Sequence, residues 1–319
     1  MSLVSLSNMK KTSHNLPHEL EATQNSIGLA LSAGGARGAY QIGSWRALRE
    51  RGLSLGAVAG SSIGALNGAL VCQGDWESAY DLWIQLTRST VLRPDYGKIG
   101  KLVFTAAVDI GLLFVPVPNL RFVRILKYAS SVIKIASRHG SLGMLRRMGL
   151  FNLSDLKPLL GKYIEISKVL DGKIPLFVTT CGPPCQTDPL GPLRYFRLQE
   201  HDEENAWRIL SASMSIPFVF GGVRINGETF SDGGIRESLP VDPLYEIGFR
   251  KIVAVGMKRD MHWRPEKYPD STIVLITPDQ SLGRFPLATF RFTREAVLEW
   301  MSRGYLDAHR ILDKQRLIF

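Results

Sequence analysis

Residues 27–64 read IGLALSAGGARGAYQIGSWRALRERGLSLGAVAGSSIG, with two short apolar runs that each lead into a glycine-rich turn. The runs Ile27–Leu31 and Ala57–Gly60 have the length and apolar character of buried strands. A helical pattern follows each turn, over Ala39–Arg51 and again after Ser62. This repeated strand–turn–helix order predicts parallel strands joined by crossover helices, as in an α/β fold.

The same alternation continues along the chain and predicts one large domain over residues 27–319. The further predicted strands are Pro175–Thr180, Leu193–Leu198, Lys251–Val255 and Ile273–Ile276, and the further helices are Trp76–Arg88, Asp202–Ser213 and Arg291–Leu312. The predicted fold is a three-layer α/β/α arrangement around a mostly parallel central sheet. A mobile N-terminal arm is predicted for residues 1–26, and an inserted helical cap for about residues 90–150.

Composition excludes several classes of protein. The 319 residues are 45% hydrophobic, which is too apolar for an intrinsically disordered chain. Three cysteines cannot build a disulfide framework, and no Cys/His spacing resembles a zinc site, so no metal is predicted.

No membrane-spanning segment is predicted. The most apolar window, between Lys101 and Arg121, contains Asp109, Pro116 and Pro118, which disfavour insertion into a bilayer. The first residues lack the apolar segment of a cleavable signal peptide. We therefore expect a cytoplasmic or peripheral membrane protein.

The net charge of +10 is concentrated in one block, because no acidic residue lies between Asp109 and Asp155. The basic residues assigned there to lipid or headgroup contact are Arg121, Arg124, Lys127, Lys134 and Arg138. On a helix most of them gather on one face, opposite an apolar face. Such a helix favours peripheral contact with an anionic membrane, and a solvated surface helix is the alternative. No nucleic-acid motif accompanies the charge, so nucleic acid is not predicted as a partner.

The turn after the second strand has the G-x-S-x-G pattern, with Gly60, Ser62 and Gly64 in the fixed positions. Between a strand and a helix this pattern predicts a nucleophile elbow, where small flanking residues allow a sharp turn and expose the serine hydroxyl. The amide of Ile63, at the start of the following helix, is a candidate oxyanion donor. The alternative is an ordinary turn in which Ser62 caps the helix.

The turn after the first strand is a second candidate anion site. Its proposed donor segment is Gly34, Gly35, Ala36, Arg37 and Gly38. Successive amides in such a turn converge on a nucleotide phosphate or on a tetrahedral acyl intermediate. Ala33 breaks the dinucleotide fingerprint, and no phosphate-binding P-loop is present, so an oxyanion hole is favoured. Arg37 is predicted to brace this loop, to meet a phosphate, or to be solvated.

A serine nucleophile needs a base, and none of the six histidines lies in a motif that would aim it. Asp232 lies in such a motif, because it ends a short predicted strand and precedes Gly233 and Gly234. A carboxyl group with a pKa of about 3.9 is a weak base at neutral pH, but burial raises that pKa. The alternative is a simple Asp-Gly turn.

Together these motifs resemble the patatin-like phospholipases. The glycine loop with its arginine, the G-x-S-x-G turn and the downstream D-G-G occur in the family's order over about residues 27–260. Residues 151–160 are similar to the family's short helix after the cap, and residues 211–217 to its A-S-x-x-x-P turn. The sequence departs from the family pattern at Ala33, where a third glycine is usual, and at Ser238, where asparagine is usual.

The resemblance implies a Ser–Asp dyad, with Ser62 as nucleophile, Asp232 as base and the Gly34–Gly38 loop as oxyanion hole. It implies hydrolysis of carboxylic esters in phospholipids or lysophospholipids through an acyl-enzyme, without a cofactor. The oligomeric state is not predicted.

Two other interpretations remain open. An α/β-hydrolase esterase would add His262 or His309 to Ser62 and Asp232 as a triad. A catalytically silent protein that binds membrane lipid is the other, and Ala33 in the oxyanion loop is the sequence feature that favours it.

Overall fold

The computed structural model of the chain describes residues 26–86, 88–91, 97, 151, 153, 156–185, 188, 190–217, 219–259 and 265–315. The strands in this part are β1 Ile27–Leu31, β2 Leu55–Ser61, β3 Leu176–Cys181, β4 Leu193–Arg197, β5 Val223–Ile225, β6 Glu228–Asp232, β7 Lys251–Val255 and β8 Thr272–Ile276. The α-helices are α1 Ala39–Glu50, α2 Ile63–Gln73, α3 Trp76–Gln85, α4 Arg88–Val91, α5 Lys157–Leu160, α6 Ile166–Leu170, α7 Glu203–Met214, α8 Asp242–Glu246 and α9 Arg294–Lys314. Short 3-10 turns include Gly35–Gly38, Gly233–Ile235 and Ala288–Phe290.

The strands form one sheet in the order β5-β6-β3-β2-β1-β7-β8, and β4 also pairs with β3. Strands β1, β2, β3, β7 and β8 pair in parallel, whereas β4, β5 and β6 pair antiparallel. The predicted mostly parallel sheet is therefore confirmed.

Side chains alternate between the two faces of the sheet and enter two separate cores. Leu29 and Leu31 of β1 contribute to the larger core, while Ala30 contributes to the smaller one. Helices α1, α2, α7 and α9 bury apolar residues in the larger core. The smaller core is covered by α8 and neighbouring loops, with Leu244 and Phe249 among its members. The predicted three-layer α/β/α arrangement is confirmed, with one helical layer much thinner than the other.

Helices α1 and α9 lie in close contact on the larger core. A Cβ atom added to Gly43 would lie 1.8 Å from the carbonyl oxygen of Met301, and one added to Gly304 would lie 1.9 Å from that of Tyr40. Both positions require glycine because backbone meets backbone there.

The topology brings the candidate site residues to one end of the sheet. Leu31 pairs with Gly60, so the turns that follow β1 and β2 are neighbours. Strand β6 pairs with Thr180 and Cys181, directly after the last residue of β3 that pairs with β2. Because β4 holds the other edge of these two residues, β6 lies on the β2 side of β3. Asp232, the last residue of β6, thus ends beside the turn after β2.

Several predictions lie outside the described residues. They are the arm, except for Ser26, most of the cap, and the basic residues Arg121, Arg124, Lys127, Lys134 and Arg138. The apolar window that begins at Lys101 lies there too, and the predicted domain division stays a prediction. Among the helices that are described, none combines the length and the apolar character needed to cross a bilayer.

Candidate active site

Ser62 lies at a sharp turn between β2 and α2. Its backbone has φ 55° and ψ −124°, a region that non-glycine residues rarely adopt and that stores strain at functional sites. The turn brings Gly64 so close to β1 that a Cβ atom there would lie 2.2 Å from the carbonyl oxygen of Leu31. A Cβ on Gly60 would likewise lie 2.3 Å from the Gly64 oxygen. Both glycines of the motif are therefore required by the path of the backbone.

The Ser62 side chain is hydrogen-bonded directly to Asp232. Its hydroxyl Oγ donates to Asp232 Oδ2 over 2.7 Å, and the two residues are only 6% and 3% exposed. The other carboxylate oxygen, Oδ1, accepts a 2.7 Å hydrogen bond from the Gly234 amide. Gly233 and Gly234 form the 3-10 turn that follows β6, which aims the carboxylate back toward Ser62.

Burial raises the pKa of Asp232 from its ordinary value to about 7, against the lowering effect of the hydrogen bonds from Ser62 and Gly234. Removing a carboxylate from water disfavours its charged form, which is the larger of these opposing effects. The group is therefore able both to accept and to return a proton near neutral pH.

The end of α7 holds Ser62 and Asp232 in place. The Ser62 amide donates to Ser213 Oγ over 2.9 Å, and Ser213 Oγ donates to the Thr179 carbonyl over 2.7 Å. The Asp232 amide donates to the Ser215 carbonyl over 3.0 Å. The sequence singled out residues 211–217 only as a family feature and gave them no role.

The centre of the glycine loop after β1, at Gly35, faces the same cavity as Ser62. Gly35 and Ile63 line a cavity together with Ser62. The amides of Ser32 and Ala33 are occupied, because they donate to the carbonyls of Val255 and Ser238. By contrast, the amides of Gly34 and Gly35 make no hydrogen bond to any residue in the described ranges. These two amides are therefore available to an additional acceptor, and the oxyanion role of the loop and of Ile63 stays a prediction.

The Arg37 side chain braces this loop from behind. It is 8% exposed, its Nε donates to the Gly34 carbonyl over 3.1 Å, and its Nη2 donates to Thr289 Oγ1 over 3.4 Å. Burial lowers its pKa. Of the three roles considered for Arg37, its contacts match that of a brace. Ala36 and Gly38 are buried beside it.

A buried amide network fixes both ends of the loop. Asn67 of α2 donates to the Gly38 carbonyl over 3.0 Å and to Gln41 Oε1 over 2.8 Å, and it accepts from Trp83 Nε1 over 2.9 Å. Gln41 in turn donates to the Ser32 carbonyl over 2.8 Å. No sequence prediction included this network, although a lone asparagine in an apolar helix is a visible signal.

The cavity beside Ser62 is apolar and partly open to solvent, with an internal volume of about 50 Å³. Six of its apolar wall residues are Leu66, Leu156, Leu160, Met214, Phe220 and Phe292. A hydroxyl and a glycine turn in the wall of an apolar cavity match an ester that carries a hydrocarbon chain.

A family model described as patatin-like phospholipase matches residues 29–245 of the chain. The chain belongs to the patatin-like phospholipase family. Lysophospholipase NTE1 from Mycosarcoma maydis is 26% identical over 246 residues, which are 77% of this chain and 10% of that protein. Lysophospholipase NTE1 from Cryptococcus neoformans var. neoformans serotype D is 26% identical over 245 residues, 77% of this chain and 12% of that protein.

A third relative, the neuropathy target esterase sws of Drosophila persimilis, is 58% identical over 50 residues, 16% of this chain and 4% of that protein. The patatin-like chain thus spans 12% or less of the length of these relatives.

The two departures from the patatin pattern contact each other away from the cavity. The Ala33 amide donates to the Ser238 carbonyl over 2.7 Å, and the Ala33 methyl packs toward Gly234, whose added Cβ would lie 2.5 Å from it. Ala33 is not among the described residues that line the cavity. The silent, lipid-binding interpretation stays an open alternative.

No imidazole separates the serine from the carboxylate, because their hydrogen bond is direct. His309 instead contacts Arg51, Glu50 and Tyr305 where α9 crosses the end of α1. His262 lies outside the described residues. The described residues also contain no group of three or more His, Cys, Asp or Glu that could hold a metal ion.

Proposed function

We propose that this patatin-like protein hydrolyses carboxylic ester bonds of phospholipids or lysophospholipids through a Ser62–Asp232 dyad. The observation that carries the proposal is the 2.7 Å hydrogen bond between Ser62 Oγ and Asp232 Oδ2, together with the apolar cavity that Ser62 lines. Membership of the family and the lysophospholipase relatives support the same chemistry.

In the first half-reaction, Ser62 Oγ attacks the ester carbonyl carbon while its proton passes to Asp232 Oδ2. The amides of Gly34, Gly35 and Ile63 stabilise the negative charge that develops on the carbonyl oxygen. When the carbon–oxygen ester bond breaks, the leaving oxygen takes the proton from Asp232, and the acyl group stays on Ser62.

In the second half-reaction, water attacks the acyl carbonyl carbon and gives a proton to Asp232. The bond to Ser62 Oγ breaks, and Oγ regains its hydrogen from Asp232, which restores the starting state. A diacyl phospholipid yields a fatty acid and a lysophospholipid, and a lysophospholipid yields a fatty acid and a glycerophosphodiester. The elevated pKa of Asp232 suits both directions of proton transfer.

The apolar wall of the cavity supports a long acyl chain as the part of the substrate that enters it. Peripheral contact with an anionic membrane through the predicted basic cap stays part of the proposal. The proposal requires neither a cofactor nor nucleic acid.

The test is hydrolysis of a panel of phospholipids and lysophospholipids by wild type, Ser62→Ala and Asp232→Asn. We expect each substitution to lower kcat/KM by roughly a thousandfold or more while the circular dichroism spectrum stays unchanged. In parallel, a fluorophosphonate probe is expected to label wild type and to leave Ser62→Ala unlabelled.

Ser61→Ala is the matched control, because Ser61 is the adjacent buried serine and its Oγ donates instead to the Glu237 carbonyl over 2.9 Å. This variant is expected to be labelled and active. Hydrolysis by Ser62→Ala at the wild-type rate, or absence of labelling in wild type with lipid present, would refute the proposal.

A further inference from the structure

Two large apolar side chains project into solvent just before α9. Phe285 is 69% exposed and Leu287 is 86% exposed, and Pro286 between them is exposed as well. Their neighbours Leu282 and Ala288 are buried and anchor the segment on both sides. Adjacent exposed apolar side chains of this size indicate an interaction surface, since their transfer out of water is favourable.

The surroundings of this apolar tip are basic. No acidic residue lies between Asp279 and Glu295, whereas Arg284, Arg291 and Arg294 are exposed. None of the three arginines forms a salt bridge with another residue in the part of the chain that the structure describes. An apolar tip with basic neighbours is complementary to an anionic lipid surface.

The same segment forms part of the cavity wall. Thr289, Phe290 and Phe292 line the cavity, two to five residues after Leu287. Thr289 is held against the oxyanion loop, since a Cβ atom on Gly35 would lie 2.3 Å from the Thr289 oxygen. The orientation of the tip is thereby fixed relative to the cavity.

We propose that residues 280–293, named here the 280–293 loop, dock on the surface of an anionic bilayer. Phe285 and Leu287 enter the acyl region of the bilayer while the arginines contact headgroup phosphates. The biological purpose of this docking rests on the proposed function, because it brings the cavity to the surface that holds the substrate. The net charge of +10 argues against a second copy of the chain as the occupant, since two such copies repel each other.

The test is sedimentation with phosphatidylcholine vesicles that contain or lack phosphatidylglycerol. Phe285→Ser/Leu287→Ser is expected to bind anionic vesicles about tenfold or more weakly than wild type. Arg284→Gln/Arg291→Gln/Arg294→Gln is expected to lose the preference for anionic vesicles. Both variants are expected to hydrolyse a water-soluble short-chain ester at the wild-type rate.

Leu306→Ser is the matched control, because Leu306 is a 62% exposed leucine on α9 outside the loop. It is expected to bind vesicles as wild type does. Insertion is read directly from an environment-sensitive fluorophore on Leu287→Cys in a Cys185→Ser background, since the other two cysteines are buried. A blue shift with vesicles is expected at position 287 and not at a labelled Leu306→Cys.

Unchanged vesicle affinity of Phe285→Ser/Leu287→Ser overturns the proposal. So does a shift from dimer to monomer in this variant with vesicle affinity unchanged, which would assign the loop to a second copy. If wild type docks through the loop but hydrolyses no ester, the docking proposal stands and the proposed function fails.

Discussion

The direct hydrogen bond between Ser62 and Asp232 would let two side chains alone carry the proposed catalytic proton transfer. In a triad, histidine accepts the serine proton because its unperturbed pKa lies near neutrality, whereas the unperturbed pKa of aspartate is about 3.9. Here burial brings the pKa of Asp232 to about 7, within the range of an imidazole. In the proposed dyad, the surroundings of one carboxylate would thus provide the near-neutral pKa that a triad obtains from histidine.

The pH dependence of the reaction follows from this pKa. Only the carboxylate form of Asp232 accepts the Ser62 proton, so kcat/KM for a soluble ester is expected to rise tenfold per pH unit below about pH 7 and to level off above it. The measurement is kcat/KM from about pH 5 to about pH 9. Glu237→Gln is the control, because burial also raises the pKa of Glu237 to about 7. If the midpoint of the pH profile of kcat/KM disappears in Glu237→Gln, the assignment of that midpoint to Asp232 is wrong.

The free energy of unfolding is expected to fall as the pH rises and Asp232 ionises, whereas kcat/KM is expected to increase. Since the folded pKa of Asp232 lies above the unfolded value, its contribution to stability is full below about pH 4 and is lost as the pH rises toward about 7. Asp232→Asn keeps the shape and removes the buried charge. We expect it to raise the free energy of unfolding by on the order of 2 kcal/mol at about pH 8, and by much less at about pH 4.

Urea unfolding at the two pH values checks this expectation. Ser62→Ala is the informative comparison, because it retains the buried carboxylate and removes one hydrogen bond to it. This variant is expected to be less stable than wild type at the higher pH. Equal effects of Asp232→Asn at both pH values would argue against the pKa shift.

At the scale of elements, Asn67 joins α2 to the glycine loop, α1 and α3. Because Ser62 precedes α2 directly, the network holds the Ser62 turn and the glycine loop in a fixed arrangement. The same residue thus serves both the packing of three helices and the geometry of the site.

Asn67→Ala leaves the Gly38 carbonyl and the side chains of Gln41 and Trp83 buried without this partner. We expect a loss of about 2–4 kcal/mol in stability and a fall in kcat larger than the change in KM. Gln73→Ala is the control on the same helix, because Gln73 makes its tertiary hydrogen bonds at the other end, to Tyr163 and Glu165. It should lower stability in urea unfolding and leave kcat unchanged; an equal fall in kcat for both variants would contradict a positioning role of Asn67.

The sequence predicted the elements with strong local signals and missed those set by distant contacts. Apolar runs located β1 and β7 to the residue. The short strand predicted to end at Asp232 is β6. Strand β5 and its hairpin with β6 were missed, although Asn226 and Gly227, with φ 49° and 87°, form a recognisable turn pair. Helix α9 begins at Arg294 rather than Arg291, because Thr293 caps it.

The candidate site shows the same division. Ser62 and Asp232 carry short motifs, and the family resemblance of those motifs paired them. The hydrogen bonds made by Ser213 and Asn67 join segments far apart in the chain, and only the folded topology reveals them.

At the scale of the whole molecule, the segment after residue 245 completes the sheet and the cavity. The family match ends at residue 245, yet β7 and β8 follow it in the sheet. Helix α9 packs on α1 through Gly43 and Gly304. The segment that leads into α9 contributes Phe292 to the cavity wall.

Gly304→Ala tests this contact, because the added methyl group would meet the Tyr40 carbonyl oxygen at 1.9 Å. We expect a loss of about 1–3 kcal/mol, measured by urea unfolding, because the two helices must separate. Ser302→Ala, at an exposed position of the same helix, is expected to change stability by less than about 0.5 kcal/mol. If Gly304→Ala and Ser302→Ala are equally stable, the added methyl group costs no stability and the contact between α1 and α9 does not require glycine.

The glycine contact between α1 and α9 also bears on how this fold is divided for expression or fusion. A fragment that ends where the family match stops would keep Ser62 and Asp232. It would lack α9, which packs on α1 at Gly43, and it would lack β7, so one edge of β1 would be unpaired. The smallest fragment suitable for expression or fusion is therefore set by these backbone contacts, and it extends well past the last recognisable motif.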